Sequence, residues 1–380
     1  MSENFSNAEC VSLDKLAQYG KKRESAGKKL ENEIKSNFSE LTENIKKRQN
    51  AKAISRDIAL KMVNSNKGSK LEKHYWNTYH CCNVVKYNSK EKRIRSQYCK
   101  NRICIVCNRV RMGVNIRQYV PIVTTWEEIG FVTLSTVNCL AGQIRYQVNE
   151  YMKVIELIKK EYDYKKRSEL LSLGYDKYEI QKLFYSYPED YRLQAIVKIE
   201  VTYNHKTDTF HPHLHLLVNG YEQSNFIANG FLERMHKRGM TIDSKAQMVK
   251  KADVETVIEM MKYFTKIFQT KQVNNESVLY LSEKSLDTIL VELYKVPLIR
   301  CIGITKRERE FYMKKFESIA NMDIDLGDDN KVFRWVDSIF NWVEMETGEM
   351  LSDNEIPKKY EDYITGKTKY LEVTKKAVFE

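Results

Sequence analysis

The stretch TFHPHLHLLV, residues 209 to 218, constrains the fold more than any other part of the chain. It puts imidazoles at His211, His213 and His215, with Leu214, Leu216 and Val218 interleaved from position 214. In an extended strand successive side chains point to opposite faces, so a period of two predicts an imidazole face and an apolar face sealed against a core. Just upstream, YRLQAIVKIEVTYN has the same alternation, with Ala195, Val197, Ile199 and Val201 facing one way and Glu200 the other. The short link from Asn204 to Thr209 predicts a hairpin, and a symmetric register sets Glu200 directly opposite His213.

Two imidazoles and a carboxylate on one face form a ligand set. Four of the seven histidines of the chain fall between 205 and 215, a clustering that favours a site over scattered polar residues. His213, His215 and Glu200 suit Mn²⁺ or Mg²⁺ used in phosphate chemistry, with Zn²⁺ an alternative. A slip of one residue in register would turn Glu200 to the other face and dissolve the set.

The remaining elements are mixed. GFVTLSTVN reads as a strand, the segment from Gly142 to about Phe184 as helical, and FIANGFLERMHKRG as a helix after the histidine strand. Short links between adjacent strands predict an α+β class: a central antiparallel sheet with a small zinc module and helical flanks. Composition and motifs divide the chain into a polar, loosely docked helical arm over 1–73, a cysteine-rich module over 74–120, a domain with the histidine strand over 121–275 and a region without an assignable role over 276–380. There is no run of 18 apolar residues and no signal-peptide pattern, so the expectation is a cytoplasmic protein with no membrane partner.

The net charge of +12 is unevenly spread: residues 276 to 380 carry 16 Lys/Arg against 21 Asp/Glu, which leaves +17 on the first 275 residues. A basic excess interleaved with aromatic side chains suits a nucleic acid, although a lysine-rich solubilising surface would carry the same charge.

Two further motifs carry chemistry. DVETVIEMMKYFTKIFQ predicts an amphipathic helix with Asp253 as N-cap and Val254, Val257, Ile258, Met261, Phe264 and Phe268 as its apolar stripe. On the other side Glu259 and Tyr263 lie one turn apart, with Lys262 and Lys266 beside them, so that a carboxylate, a phenol and an ammonium project together. The second motif is YHCCNVV followed by QYCKNRICIVCNRVR, with five of the eight cysteines. Its spacing is that of a structural Zn²⁺ site closed by four thiolates. Adjacent side chains diverge, so only one of Cys81 and Cys82 is expected to ligate. The expected set is Cys82, Cys99, Cys104 and Cys107, with His80 a further candidate. Arg95, Arg102, Arg109 and Arg111 around it are candidate phosphate contacts.

These motifs together resemble the HUH single-strand endonucleases, and among them the single-tyrosine rolling-circle replication initiators of small plasmids. FVTLSTVN is similar to the first strand motif of that family, HPHLH with EVTYN upstream to its metal motif, and EMMKYFTK to its Tyr-x-x-Lys arrangement with a glutamate four residues before the tyrosine. The cysteine-rich segment also looks like the one that precedes the catalytic strands in these initiators, except that Ile105 and Val106 stand where a proline is usual. The resemblance spans about residues 75 to 275 and implies a ferredoxin- or RRM-like sheet with His213, His215 and Glu200 on the metal and Tyr263 as nucleophile. It further implies Lys266 supporting the phosphate or the metal and Glu259 activating water for a second, terminating cleavage. The implied partners are origin DNA, single-stranded or in a hairpin, and a host helicase and polymerase; dimerisation is left open.

Three rival readings stand beside it. A two-tyrosine transposase would want a tyrosine at Ile267, and a relaxase would place its tyrosine ahead of the histidines. A non-catalytic zinc-dependent nucleic-acid-binding protein explains the charge and the cysteines but leaves the histidine face without a role.

Overall fold

In the computed structural model residues 45–88, 93–261, 270–273, 276–279, 282–311, 330–344 and 347–351 are described. The first elements are α1 (Ile45–Ser65), α2 (Glu72–Tyr79), β1 (Val84–Asn88), β2 (Arg93–Ser96) and α3 (Ile105–Val123). Next come β3 (Ile129–Ser135), α4 (Ile144–Ser172), α5 (Lys177–Ser186), β4 (Ala195–Asn204), β5 (Thr209–Asn219) and α6 (Tyr221–Lys237). Then follow β6 (Met248–Lys251), α7 (Val254–Met261), the small hairpin β7 (Thr270–Val273) and β8 (Glu276–Leu279), and α8 (Glu283–Glu292). The last are β9 (Ile299–Ile302), β10 (Asn330–Val336) and β11 (Asn341–Glu344).

Every described strand pair is antiparallel, and the class is α+β. The central sheet has the order β6-β3-β5-β4-β9, which makes the histidine strand its middle member. Its two faces are filled differently. Val132, Leu134, Val197, Ile199, Val201, Leu214, Leu216 and Val218 point to one side and are buried with α4 and α6, the larger core. On the opposite face Phe131, Ile196 and Leu217 are buried with Met112, Ile116 and Val120 of α3 and Val257, Met260 and Met261 of α7. The alternation that predicted two strand faces therefore serves two cores.

A second sheet, β11-β10-β1-β2, carries the cysteine module. Among the described residues beyond 276, β9 extends the central sheet beside β4, α8 packs on α1, and β10 pairs with β1 across the whole length of that strand. Long-range pairing of this kind leaves no local trace in composition. In the described part of the N-terminal arm, α1 buries Ala51, Ile54, Ile58 and Met62 in the main core and contacts α2 and α3. Its polar residues sit inside with them: Ser55 accepts the Ile105 amide (2.9 Å) and Lys52 is fully buried.

No described helix is long and apolar enough to cross a membrane.

Candidate functional site

The β4–β5 hairpin has the symmetric register, with Glu200 opposite His213 and Lys198 opposite His215. On its other side β5 pairs with β3, so Ser135 faces His213 and Thr133 faces His215. Glu200, His213 and His215 each offer a ligand atom within 4.8 Å of the others and could hold a metal ion. Nε2 of His213 lies 3.4 Å and Nε2 of His215 3.6 Å from the same carboxylate oxygen, Glu200 Oε2.

The second ring nitrogens are held in place. His213 Nδ1 is 3.1 Å from the His211 carbonyl, which can only accept; a proton therefore sits on Nδ1, and Nε2 is the nitrogen that faces the glutamate. His215 Nδ1 pairs with Thr133 Oγ1 (3.1 Å), and its ring stacks on Phe131 (centroids 5.5 Å apart). Burial lowers the pKa of His215 against the opposing pull of Glu200, which favours the neutral, ligating form. An ordered outer shell on both imidazoles is what a metal-ligating pair needs, and the donor set fits a divalent cation.

Lys198, which the sequence reading did not single out, completes the site. Its buried ammonium binds Glu200 Oε1 at 2.8 Å and donates to the Glu259 carbonyl on α7 at 3.3 Å. One side chain thus fixes the outer oxygen of the carboxylate and ties the sheet to the helix that precedes Tyr263. A lysine two residues before Glu200 shares its face of the strand, so the alternation in AIVKIEV was the available signal.

On α7, Asp253 is the expected N-cap, its Oδ1 accepting the Thr256 amide at 2.7 Å, and Val257 and Met261 are buried as the stripe requires. Glu259 is exposed. Tyr263 and Lys266 lie outside the described residues.

In the cysteine module the four sulfurs that come together are those of Cys81, Cys99, Cys104 and Cys107, all within 4.8 Å of one another. Cys107 Sγ lies 3.6 Å from Cys81 Sγ and 3.5 Å from Cys99 Sγ, close to the ~3.8 Å edge of a tetrahedron with Zn–S bonds of about 2.3 Å. The expected ligand Cys82 is outside this set. The residue has φ of 58°, its carbonyl accepts from Trp342 Nε1 at 2.7 Å, and its sulfur stands 3.8 Å from Cys81 Sγ, while Cys81 joins the other three sulfurs.

Backbone amides aim at the sulfurs: Cys99 N at Cys81 (3.4 Å), Lys100 N at Cys107 (3.3 Å), Asn101 N at Cys99 (3.5 Å) and Cys107 N at Cys104 (3.5 Å). Hydrogen bonds from Cys104 and Cys107 draw the Cys81 thiol well below its ordinary range. Amides that solvate sulfur favour thiolates, and the set fits a structural metal ion.

Two of the arginines around the cysteines bond to the chain itself. Arg102 donates to the Leu293 and Val296 carbonyls at the end of α8, at 2.8 and 2.5 Å. Arg111 donates to the Asn101 carbonyl (3.1 Å) and to Asn108 Oδ1 (3.0 Å). Arg109 is partly buried on α3, and Arg95 lies on β2 opposite Lys86.

Among proteins of known identity the chain is similar to "Protein rep" of Staphylococcus aureus, with 26% identity over 135 residues. The match covers 34% of this chain and 48% of that protein, so the chain spans about half the length of the relative it resembles. No family model and no solved structure matches the chain.

Proposed function

We propose that the protein is a rolling-circle replication initiator of a plasmid, a metal-dependent endonuclease and strand transferase of the HUH type. The observation that carries this reading is the convergence of Glu200, His213 and His215 on the middle strands of an antiparallel sheet, linked through Lys198 to the helix that leads to Tyr263. The similarity to a protein named for replication supports it, and the basic first 275 residues suit a DNA substrate.

Glu200, His213 and His215 would hold Mn²⁺ or Mg²⁺, which when bound supplies positive charge at the scissile phosphate. The phenol oxygen of Tyr263 attacks phosphorus in single-stranded origin DNA, and the bond from phosphorus to the 3′ oxygen breaks. The DNA is left with a 5′-phosphotyrosine link and a free 3′-OH that primes a host polymerase, and Lys266 offsets the charge developing on the phosphate. Bond energy is retained in the link, so rejoining needs no nucleotide. For termination Glu259 takes a proton from the water that makes the second cut. Cys81, Cys99, Cys104 and Cys107 hold a structural Zn²⁺.

The test is a denaturing gel of the protein with Mn²⁺ and tiled single-stranded oligonucleotides from its own replicon, beside Tyr263→Phe and Glu259→Ala. A protease-sensitive DNA adduct that disappears in Tyr263→Phe is expected, with Glu259→Ala keeping the first cleavage and losing hydrolytic termination. Intact DNA binding without any adduct would leave a zinc-dependent binding protein in its place.

A further inference from the structure

Lys52 is the anomaly of the cysteine module. It sits in the middle of α1, its side chain is fully buried, and among the described residues no carboxylate pairs with it. Its ammonium donates to the Tyr79 carbonyl at 2.8 Å and to Asn83 Oδ1 at 2.7 Å, and lies 5.7 Å from the centre of the Trp335 ring. The two acceptors flank the turn that carries Cys81 and Cys82, so the charge is held at the back of the cluster. A buried ammonium without an opposite charge is strongly unfavourable, and neutral acceptors compensate it only in part.

What stands nearby is sulfur. Burial pulls Lys52 down to about 8, and the cysteines that push it back up are Cys81, Cys82 and Cys104, while Arg56 opposes them. Four neutral thiols would give an ammonium nothing to balance. Four thiolates around a divalent ion, by contrast, leave an excess of negative charge, and that excess is itself costly to bury unless a cation or donors meet it. The amides aimed at Cys81, Cys99, Cys104 and Cys107 meet part of it.

We propose that Lys52 is the internal counter-ion of an anionic four-thiolate metal centre at Cys81, Cys99, Cys104 and Cys107, a positioning residue whose charge sets how tightly the metal is held. This rests on the reading of the cysteines as a metal site and is independent of the nicking chemistry.

The test uses the full chain, stripped and reloaded with Co²⁺ or Zn²⁺. Co²⁺ reports the geometry through its thiolate charge-transfer and d–d absorption, and competition with a chromophoric chelator gives the affinity. Lys52→Gln keeps a donor and removes the charge; it is expected to retain the tetrahedral thiolate spectrum and to bind metal about 10- to 100-fold more weakly, the range seen when an outer-shell partner is lost. Lys52→Arg is expected to recover most of that loss.

Asn83→Asp guards against a Lys52 variant that does not fold. It is isosteric, preserves the hydrogen bond and hands the ammonium a competing carboxylate, so it too should weaken binding by about tenfold or more. Unchanged affinity in Asn83→Asp, or in a folded Lys52→Gln, would overturn the proposal. A wild-type chain without thiolate bands would overturn the metal site itself, a separate result, since the variants are then never the cause.

Discussion

Lys198→Met removes the cation that joins the metal ligands to α7. Lys198 is 4% exposed, and the Glu200 side chain retains 14% of its exposure. Removing one partner of a fully buried ion pair destabilises by about 3–5 kcal/mol. Here the Glu200 side chain is not fully buried, so a loss of about 2–3 kcal/mol is expected in metal-free protein. A divalent cation should then repair much of the damage, because it supplies the charge that Glu200 has lost. For the wild type, Mn²⁺ at a hundred times its Kd adds about 2.7 kcal/mol, and the variant should gain more. The assay is urea unfolding of both proteins with and without Mn²⁺, read by circular dichroism. A loss below about 0.5 kcal/mol in metal-free protein, or an equal loss with and without Mn²⁺, would show that Lys198 is not electrostatically coupled to the histidine face.

Cys81→Ser should purify with its cysteine-bound metal largely lost, whereas Cys82→Ser should keep it; metal content by mass spectrometry decides, and the reverse order would contradict the arrangement of the sulfurs. Trp342→Phe deletes the donor to the Cys82 carbonyl inside a fully buried contact and should cost about 1–3 kcal/mol. Chemical denaturation measures it, and an effect within experimental error would mean that β11 contributes nothing to the turn.

The candidate site was legible because its pieces are local. Glu200, His213 and His215 lie on two strands joined by a short turn, so the period of two and the hairpin were enough to set the carboxylate opposite the imidazole. The cap at Asp253 and the buried face of α7 follow from equally local rules. The cysteine spacing announced a four-sulfur cluster for the same reason. It could not choose between Cys81 and Cys82, since the choice depends on a left-handed residue at 82 and on a tryptophan 260 positions away that takes its carbonyl.

Charge alone says nothing about what an arginine faces: in the folded chain Arg102 and Arg111 donate to backbone carbonyls. The N-terminal helix looked peripheral because its polar residues dilute its apolar ones, yet Lys52 and Ser55 are buried with partners supplied by other elements.

The chain by itself thus determined the histidine strand, its partner and their register, because side-chain alternation and a short connection leave one way to seal an apolar face. Only the tertiary structure decided that β9 and β10 return to complete the two sheets, that Cys81 is the fourth thiol, and that Lys198 and Lys52 stand behind the two candidate metal centres. Those outcomes depend on contacts between residues far apart in the chain, and such contacts follow from packing and charge compensation in the folded interior.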